Sequence, residues 1–379
     1  MKVAMVDPSL FTGRYDDSLC AALAGQGAEV TLLGRPMRAT DAIAPQGYRY
    51  RPRFFRWSER ARGVLGEGAA FRMAKAAEYG ATCLLGSLRG MADADVAHFQ
   101  WLPLAPADAH LLRRLSGRTR LVHTVHNADA YHADAGVQGR GYAALLDRFD
   151  ALIVHGDTTR DALLARGVDE GRLHVAPHPP MRLARAEAAD MEATPDPLLP
   201  RLLFFGTIRP YKGVDLLVAA CIDLWRRGHR FELMLAGKPF MDVAPIIASV
   251  EEAGYGHNLL TDFGFLREQR LDAHIRKADL LVFPYRHIDS SGAFLSALHY
   301  GKAMVTSDAG MFAALPEGVA ARVPVGNVPA LAQAMLPMIE SPAIRLAVGA
   351  SARLYGEALS NWKDTALKTM TVYRSISGR

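Results

Sequence analysis

The chain reads as α/β, two Rossmann-like domains each built on a parallel sheet. Three observations predict this. Short apolar runs alternate with amphipathic helical patterns from end to end, the order that lays helices over both faces of a parallel sheet. The alternation occurs twice, and the two series are separated by a proline- and alanine-rich, charge-mixed stretch between Pro177 and Pro197. At 379 residues, the chain is also longer than one typical core supports.

In the first series the apolar runs are 3–6, 29–33, 95–99, 120–125, 151–154 and 173–176. Helical spacing lies between them, as at 16–25, 107–115 and 157–166. In the second series the runs are 202–205, 232–236, 279–283 and 303–306, with helices predicted over 214–227, 243–253, 268–277, 292–300 and 328–340. The last segment, 361–375, sets Trp362, Ala366, Met370 and Tyr373 on one helical face. The expected division is a first domain over 1–180, a linker over 181–198, a second domain over 199–359, and a final helix over 360–379 that crosses back to the first.

Half the residues are hydrophobic and 22% are charged, which excludes a disordered chain. Cys20, Cys83 and Cys221 are far apart and odd in number, so neither a disulfide framework nor a cysteine metal site is indicated. The N-terminus reads as a first strand and no run is long enough to span a bilayer, so a cytoplasmic protein is expected. The net charge of +5 is concentrated. From Tyr48 to Arg62 there are six arginines and one acid, Glu59, interleaved with Tyr48, Tyr50, Phe54, Phe55 and Trp57. Arginines beside exposed aromatics suit an anionic membrane surface, and the segment is expected to sit on one. The competing reading is an edge strand with its aromatics in the core and its arginines solvated. Nucleic acid is not an expected partner.

The most informative stretch runs from Gly206 to Asp215. An apolar strand ends in a glycine turn that carries Arg209 and Lys212, and a helical pattern begins at Val214. Backbone N–H groups at a helix start attract anions, and an arginine and a lysine three apart can close over a phosphate. Neither series opens with G-x-G-x-x-G, which argues against a nicotinamide or flavin enzyme. There is no P-loop and no zinc motif. His123 and His126 are three apart at a strand end, which turns their rings to opposite faces.

Taken in order, these pieces resemble glycosyltransferase family 4, whose architecture is GT-B. The residues that carry the resemblance are Val122-His123-Thr124-Val125-His126-Asn127, Gly206 to Asp215, Leu235-Ala236-Gly237, Ala278 to Pro284 and Gly301 to Gly310. One departure is marked. The family usually carries two glutamates eight apart, the first three residues before a glycine. Counting from Gly292, those positions hold Asp289 and Ala297. The chain therefore resembles a subgroup reading P-Y-R-x-I-D-x-S-G, here Pro284 to Gly292. Alanine cannot accept the hydrogen bonds that the second glutamate takes from ribose hydroxyls.

The resemblance implies a retaining, metal-independent transfer of a sugar from a UDP- or GDP-sugar to a glycan or lipid-linked acceptor, with no cofactor, in bacterial polysaccharide or glycolipid synthesis. Arg209 and Lys212 are expected to take the departing phosphate charge. Gly206, Thr207, Gly237, Lys238, Phe263, Gly264, Phe265, Ser290, Ser291, Gly292 and Ala293 complete the expected donor site. Asp289 is expected to bind sugar hydroxyls or steady positive charge on the ring, the alternative being a helix N-cap. Thr12, Gly13, Arg14 and Tyr15, with His126, are the expected acceptor side, and His126 is expected to contact the transferred sugar. The rival from another class is a non-catalytic protein that only binds sugar nucleotides.

Overall fold

Every strand pairing between the named strands is parallel, as the doubled alternation of strands and helices requires. The computed structural model describes residues 1–66, 68–128 and 141–378. Two units are present, Met1–His178 with Ser360–Arg379, and Pro179–Leu359.

In the first unit seven strands line up as β3-β2-β1-β4-β5-β6-β7. They are β1 (Lys2–Val6), β2 (Glu29–Gly34), β3 (Arg49–Pro52), β4 (Val96–Phe99), β5 (Arg120–Val125), β6 (Ala151–Val154) and β7 (Leu173–Val175). The central strands β4 and β6 are buried along their whole length, which explains their unbroken apolar sequences. The final helix, Trp362–Ser377, packs within this unit. Tyr373 meets His98 at 2.6 Å, and Thr365 Oγ1 donates to the Pro177 carbonyl at 2.8 Å.

In the second unit six strands line up as β10-β9-β8-β11-β12-β13. They are β8 (Arg201–Phe205), β9 (Glu232–Gly237), β10 (Leu259–Phe263), β11 (Leu280–Phe283), β12 (Ala303–Ser307) and β13 (Ala321–Val323). Helix Val214–Arg226 buries Leu217, Cys221 and Leu224 against this sheet, the face that its apolar spacing predicts.

Residues 181–198, expected as a linker, lie in the second unit and contain the helix Ala188–Ala193. Asp190 is buried and pairs with Arg267 at 2.8 Å, and Lys277 Nζ donates to the carbonyls of Met191 and Thr194. The predicted runs leave out the edge strands β10 and β13 and the helices Arg56–Leu65 and Ala69–Leu85, whereas β3 matches the competing edge-strand reading of the basic segment. Among the described residues no helix is long and apolar enough to cross a membrane.

Candidate functional site

In the second unit the expected donor residues gather at the carboxyl ends of β8, β9, β10 and β11. Such strand ends are where parallel α/β sheets receive ligands. Gly206 ends β8 with φ +104°, and its N–H donates to the Ala236 carbonyl. Gly237 ends β9 directly beside it, with φ +138°. A Cβ on Gly237 would strike the Gly206 carbonyl oxygen, so the two turns can touch only because position 237 is glycine. Gly264 extends the row, its N–H donating to the Gly237 carbonyl at 3.2 Å. Ile208 N donates to the Lys238 carbonyl and Phe240 N to the Ile208 carbonyl, which ties the loops holding Thr207, Arg209 and Lys238 together.

Lys212 sits in a single 3-10 turn, Pro210–Lys212, just before helix Val214–Arg226. Its side chain is buried, with the ammonium 5.4 Å from the centre of the Tyr285 ring. Burial and the neighbouring Arg209 bring the Lys212 ammonium down to about 8. Among the described residues no carboxylate pairs with it. The Arg209 guanidinium lies 4.2 Å from the centre of the Phe240 ring, and Phe240 meets Phe265 edge-on at 6.1 Å. Lys238 Nζ lies 5.4 Å from the Phe265 ring. Phe240 and Phe265 are 45% and 49% exposed, whereas Phe263 packs against the core. Of the expected aromatic pair, only Phe265 is turned outward, and Phe240 joins it.

Arg286 brings the Asp289 loop to this turn. Its guanidinium pairs with both oxygens of Asp215, at 2.9 and 2.6 Å, and donates to the Pro210 carbonyl, while its N–H donates to Tyr211. At Gly310, φ +48°, a Cβ would collide with the Ile288 carbonyl, so the loop backbone lies directly on that glycine. Asp289 is buried there. The cap of the following helix, Gly292–Ala297, is Ser291, whose Oγ accepts from Phe294 N at 3.2 Å. Asp289 is therefore not the helix cap. Ser290 precedes the Ser291 cap, and Gly292 and Ala293 open this short helix. Ala297 is fully buried in the apolar core, one turn further on.

In the first unit Tyr15 packs on His126, which follows β5, and Thr12 is linked to it through Trp101. The indole of Trp101 stacks on the His126 ring at 5.0 Å and 5°, and its N–H donates to Thr12 Oγ1 at 2.9 Å. Tyr15 is buried against His126, His155, His178 and Trp362, with ring centres 5.0–5.2 Å away. His126 contacts Gln100 Oε1 through Nε2 at 2.9 Å and His155 Nε2 through Nδ1 at 3.0 Å. Burial, reinforced by the neighbouring histidines, holds the His126 imidazole well below its ordinary range. His155 is brought to about 3 by burial and His178. Below this cluster Asp7 accepts from the N–H groups of Ser9 and Thr12, and burial raises both Asp7 and its neighbour Asp16. Gly13 and Arg14 open the helix Gly13–Gly25 that carries Tyr15 and Asp16. Gln100, Trp101, His155, His178 and Trp362 were missed because they come from four separated segments with no local motif.

The basic segment needs correction. Tyr48 is buried and donates to Asp17 Oδ1 at 2.6 Å, the Tyr50 hydroxyl bonds the Arg35 carbonyl, and Phe54 and Phe55 lie in the core. Four of the five aromatics thus follow the edge-strand reading. Only Trp57 is outward, 72% exposed, on helix Arg56–Leu65. Glu78 fastens that helix to the next by accepting the N–H groups of Trp57 and Ser58 at 2.9 and 2.8 Å. Arg56, Arg60, Val64 and Arg72 are exposed on the two helices, and Met73 is 73% exposed.

Residues 12–179 match a family model described as Glycosyltransferase Family 4, and residues 199–341 match one described as Glycosyl transferases group 1. The GDP-mannose:glycolipid 4-beta-D-mannosyltransferase of Xanthomonas campestris pv. campestris is 31% identical over 100 residues, 26% of this chain and 27% of that enzyme. The D-inositol 3-phosphate glycosyltransferase of Kineococcus radiotolerans is 28% identical over 67% of this chain and 66% of its own length. The chain thus aligns with about a quarter to a third of the length of the first curated relatives it matches. Sucrose-phosphate synthase from Thermosynechococcus elongatus superposes with a TM-score of 0.71 at 21% identity, covering 99% of this chain and 98% of that one. The fold is that of the GT-B glycosyltransferases.

Proposed function

We propose that this chain, which joins a glycosyltransferase family 4 domain (residues 12–179) to a group 1 glycosyl transferases domain (residues 199–341), transfers a sugar from a nucleotide diphosphate to a glycan or lipid-linked acceptor. The observation that carries the reading is Lys212. A buried ammonium destabilised by an adjacent guanidinium, with no carboxylate paired to it among the described residues, is matched by a dianionic ligand.

The donor is a UDP- or GDP-sugar. Its anomeric C–O bond breaks and the electron pair stays on the diphosphate oxygen. The acceptor hydroxyl forms the new bond on the same face, and its proton passes to the departing phosphate. Negative charge on that phosphate is greatest in the transition state, where Arg209 and Lys212 act. Arg209 offers a planar fork and Lys212 a point charge. These two cations supply the charge that a divalent metal supplies elsewhere, and no cofactor takes part. Gly206, Thr207, Gly237 and Gly264 let the backbone approach the nucleotide, Phe265 and Phe240 border it, and Lys238 adds charge. Asp289 holds sugar hydroxyls, with Ser290, Ser291, Gly292 and Ala293 alongside. Thr12, Gly13, Arg14, Tyr15 and His126 form the acceptor side.

The exposed face of the helices Arg56–Leu65 and Ala69–Leu85 rests on the anionic inner face of the membrane, where a lipid-linked acceptor is met. The relative from Xanthomonas, named for a glycolipid acceptor, supports this reading. The product belongs to polysaccharide or glycolipid synthesis. The rival reading, binding of sugar nucleotides without turnover, is favoured by no observation at the site. Incubation with a panel of UDP- and GDP-sugars and bacterial membranes tests both. One sugar should be transferred with retention of anomeric configuration, equally well in EDTA. Donor binding without transfer would establish the rival instead.

A further inference from the structure

His126 stands in a hydrogen-bonded chain of three links. At one end the Ala176 carbonyl faces His155 Nδ1 at 3.2 Å. In the middle His155 Nε2 faces His126 Nδ1 at 3.0 Å. At the other end His126 Nε2 faces the side-chain amide of Gln100 at 2.9 Å. Each link needs one proton. Two neutral imidazoles bring two, so the third must come from the end that can donate. A backbone carbonyl only accepts, which fixes the direction of the whole chain. His155 carries its proton on Nδ1 and His126 carries its own on Nδ1, leaving His126 Nε2 as an acceptor.

We propose that Gln100 donates its amide N–H to His126 Nε2, and that Gln100 and His155 together lock His126 as a neutral ring that transfers no proton. The amide nitrogen and oxygen are interchangeable in shape, and the proton count selects the orientation. With the nitrogen toward His126, the amide oxygen takes the far position, 2.9 Å from the Met5 sulfur and 3.4 Å from His98 Nε2, whose N–H it can share as acceptor with Thr124 Oγ1. The other solution is a third proton on the pair. It would place an imidazolium in a buried site among His98, His123 and His178, with Tyr15 and Tyr373 as the other titratable neighbours. Burial and like charge both oppose that.

Both ring nitrogens of His126 are then engaged by protein partners, so its part on the acceptor side is packing through its ring, with no acid–base work. Gln100 and His155 are positioning residues. Through the parallel stack on His126 they hold Trp101, and through its indole N–H they hold Thr12. That this serves acceptor binding rests on the proposed transferase activity, whereas the tautomer does not.

The test is nitrogen NMR of the full chain labelled at histidine. The His126 resonance is assigned with a His126→Asn variant. The expected result is a protonated Nδ1 and a bare Nε2, with no change in either between pH 5 and pH 8. The substitution Gln100→Glu puts an acceptor-only carboxylate against Nε2. It should move the proton to that nitrogen and introduce a titration in the same range. A protonated Nε2 in the wild type, or a wild-type titration between pH 5 and pH 8, overturns the proposal. So does a Gln100→Glu protein whose His126 signals match wild type. None of these readouts depends on sugar transfer, so loss of one conclusion leaves the other standing.

Discussion

Lys212 shows how a ligand site costs stability in the empty protein. Its folded-state value of about 8 lies below the ordinary lysine value of 10.5. Between those values the unfolded chain holds more protons than the folded one, so stability rises with pH across that window. Below pH 8 the full cost is present, on the order of 3 kcal/mol for a shift of this size. Lys212→Met should therefore be more stable than wild type at pH 7, with the advantage shrinking toward pH 10.5. Urea denaturation at a series of pH values checks this, and parallel stability curves would refute it. At this scale the sequence was informative where charge follows glycine, as at Arg209 and Lys212, because local order alone specifies the turn. It was silent on Gln100, Trp101 and His155, which meet only when β4, β5 and β6 lie side by side. It also left the role of Asp289 open between cap and ligand. Ser291 takes the cap, because its hydroxyl lies three residues before the N–H it accepts.

At the scale of elements, strands buried on both faces were the legible ones. The predicted run 120–125 coincides with β5, whose residues are nearly all buried. The edge strands β10 and β13 escaped because half-exposed sequence loses the unbroken apolar run, as in β10, Leu259–Phe263. The basic window was misread for a related reason. Alternation in Tyr48, Tyr50 and Phe54 reported an edge strand and its core contact, not a surface belt. The surface lies instead on the two helices that follow. Phe55 holds their entry at φ +55°, a left-handed conformation rare for a large side chain, with its ring stacked on Tyr79 at 5.4 Å. If that surface binds membrane, each exposed arginine contributes about 1 kcal/mol at low salt, and the indole of Trp57 adds apolar contact. Substitution of Arg56 and Arg60 by Gln and Trp57 by Ser should weaken co-sedimentation with phosphatidylglycerol vesicles by about tenfold or more. Phosphatidylcholine vesicles should bind neither protein well. Equal binding of wild type and variant to the anionic vesicles would remove the membrane role.

For the whole molecule, the double alternation of strand and helix already contained two parallel sheets, and each half of the chain matches a glycosyltransferase domain of its own. The stretch between them was harder to read. Proline and mixed charge around 181–198 signalled a linker, yet Asp190, Arg267 and Lys277 fasten it to the second unit through long-range pairs. Ala297 marks the other limit. Its place in the motif pointed toward a nucleotide, while its burial shows a core position at which a glutamate would be an unpaired charge.

The central claim is that the turn holding Arg209 and Lys212 grips a nucleotide diphosphate. Calorimetric titration of UDP and GDP into the wild type, Arg209→Ala and Lys212→Met at pH 7 tests it most directly. One nucleotide should bind the wild type. Either substitution should weaken that binding by about tenfold or more, the loss expected from one charged contact, while the variants stay folded. Undiminished binding to both folded variants would contradict the account.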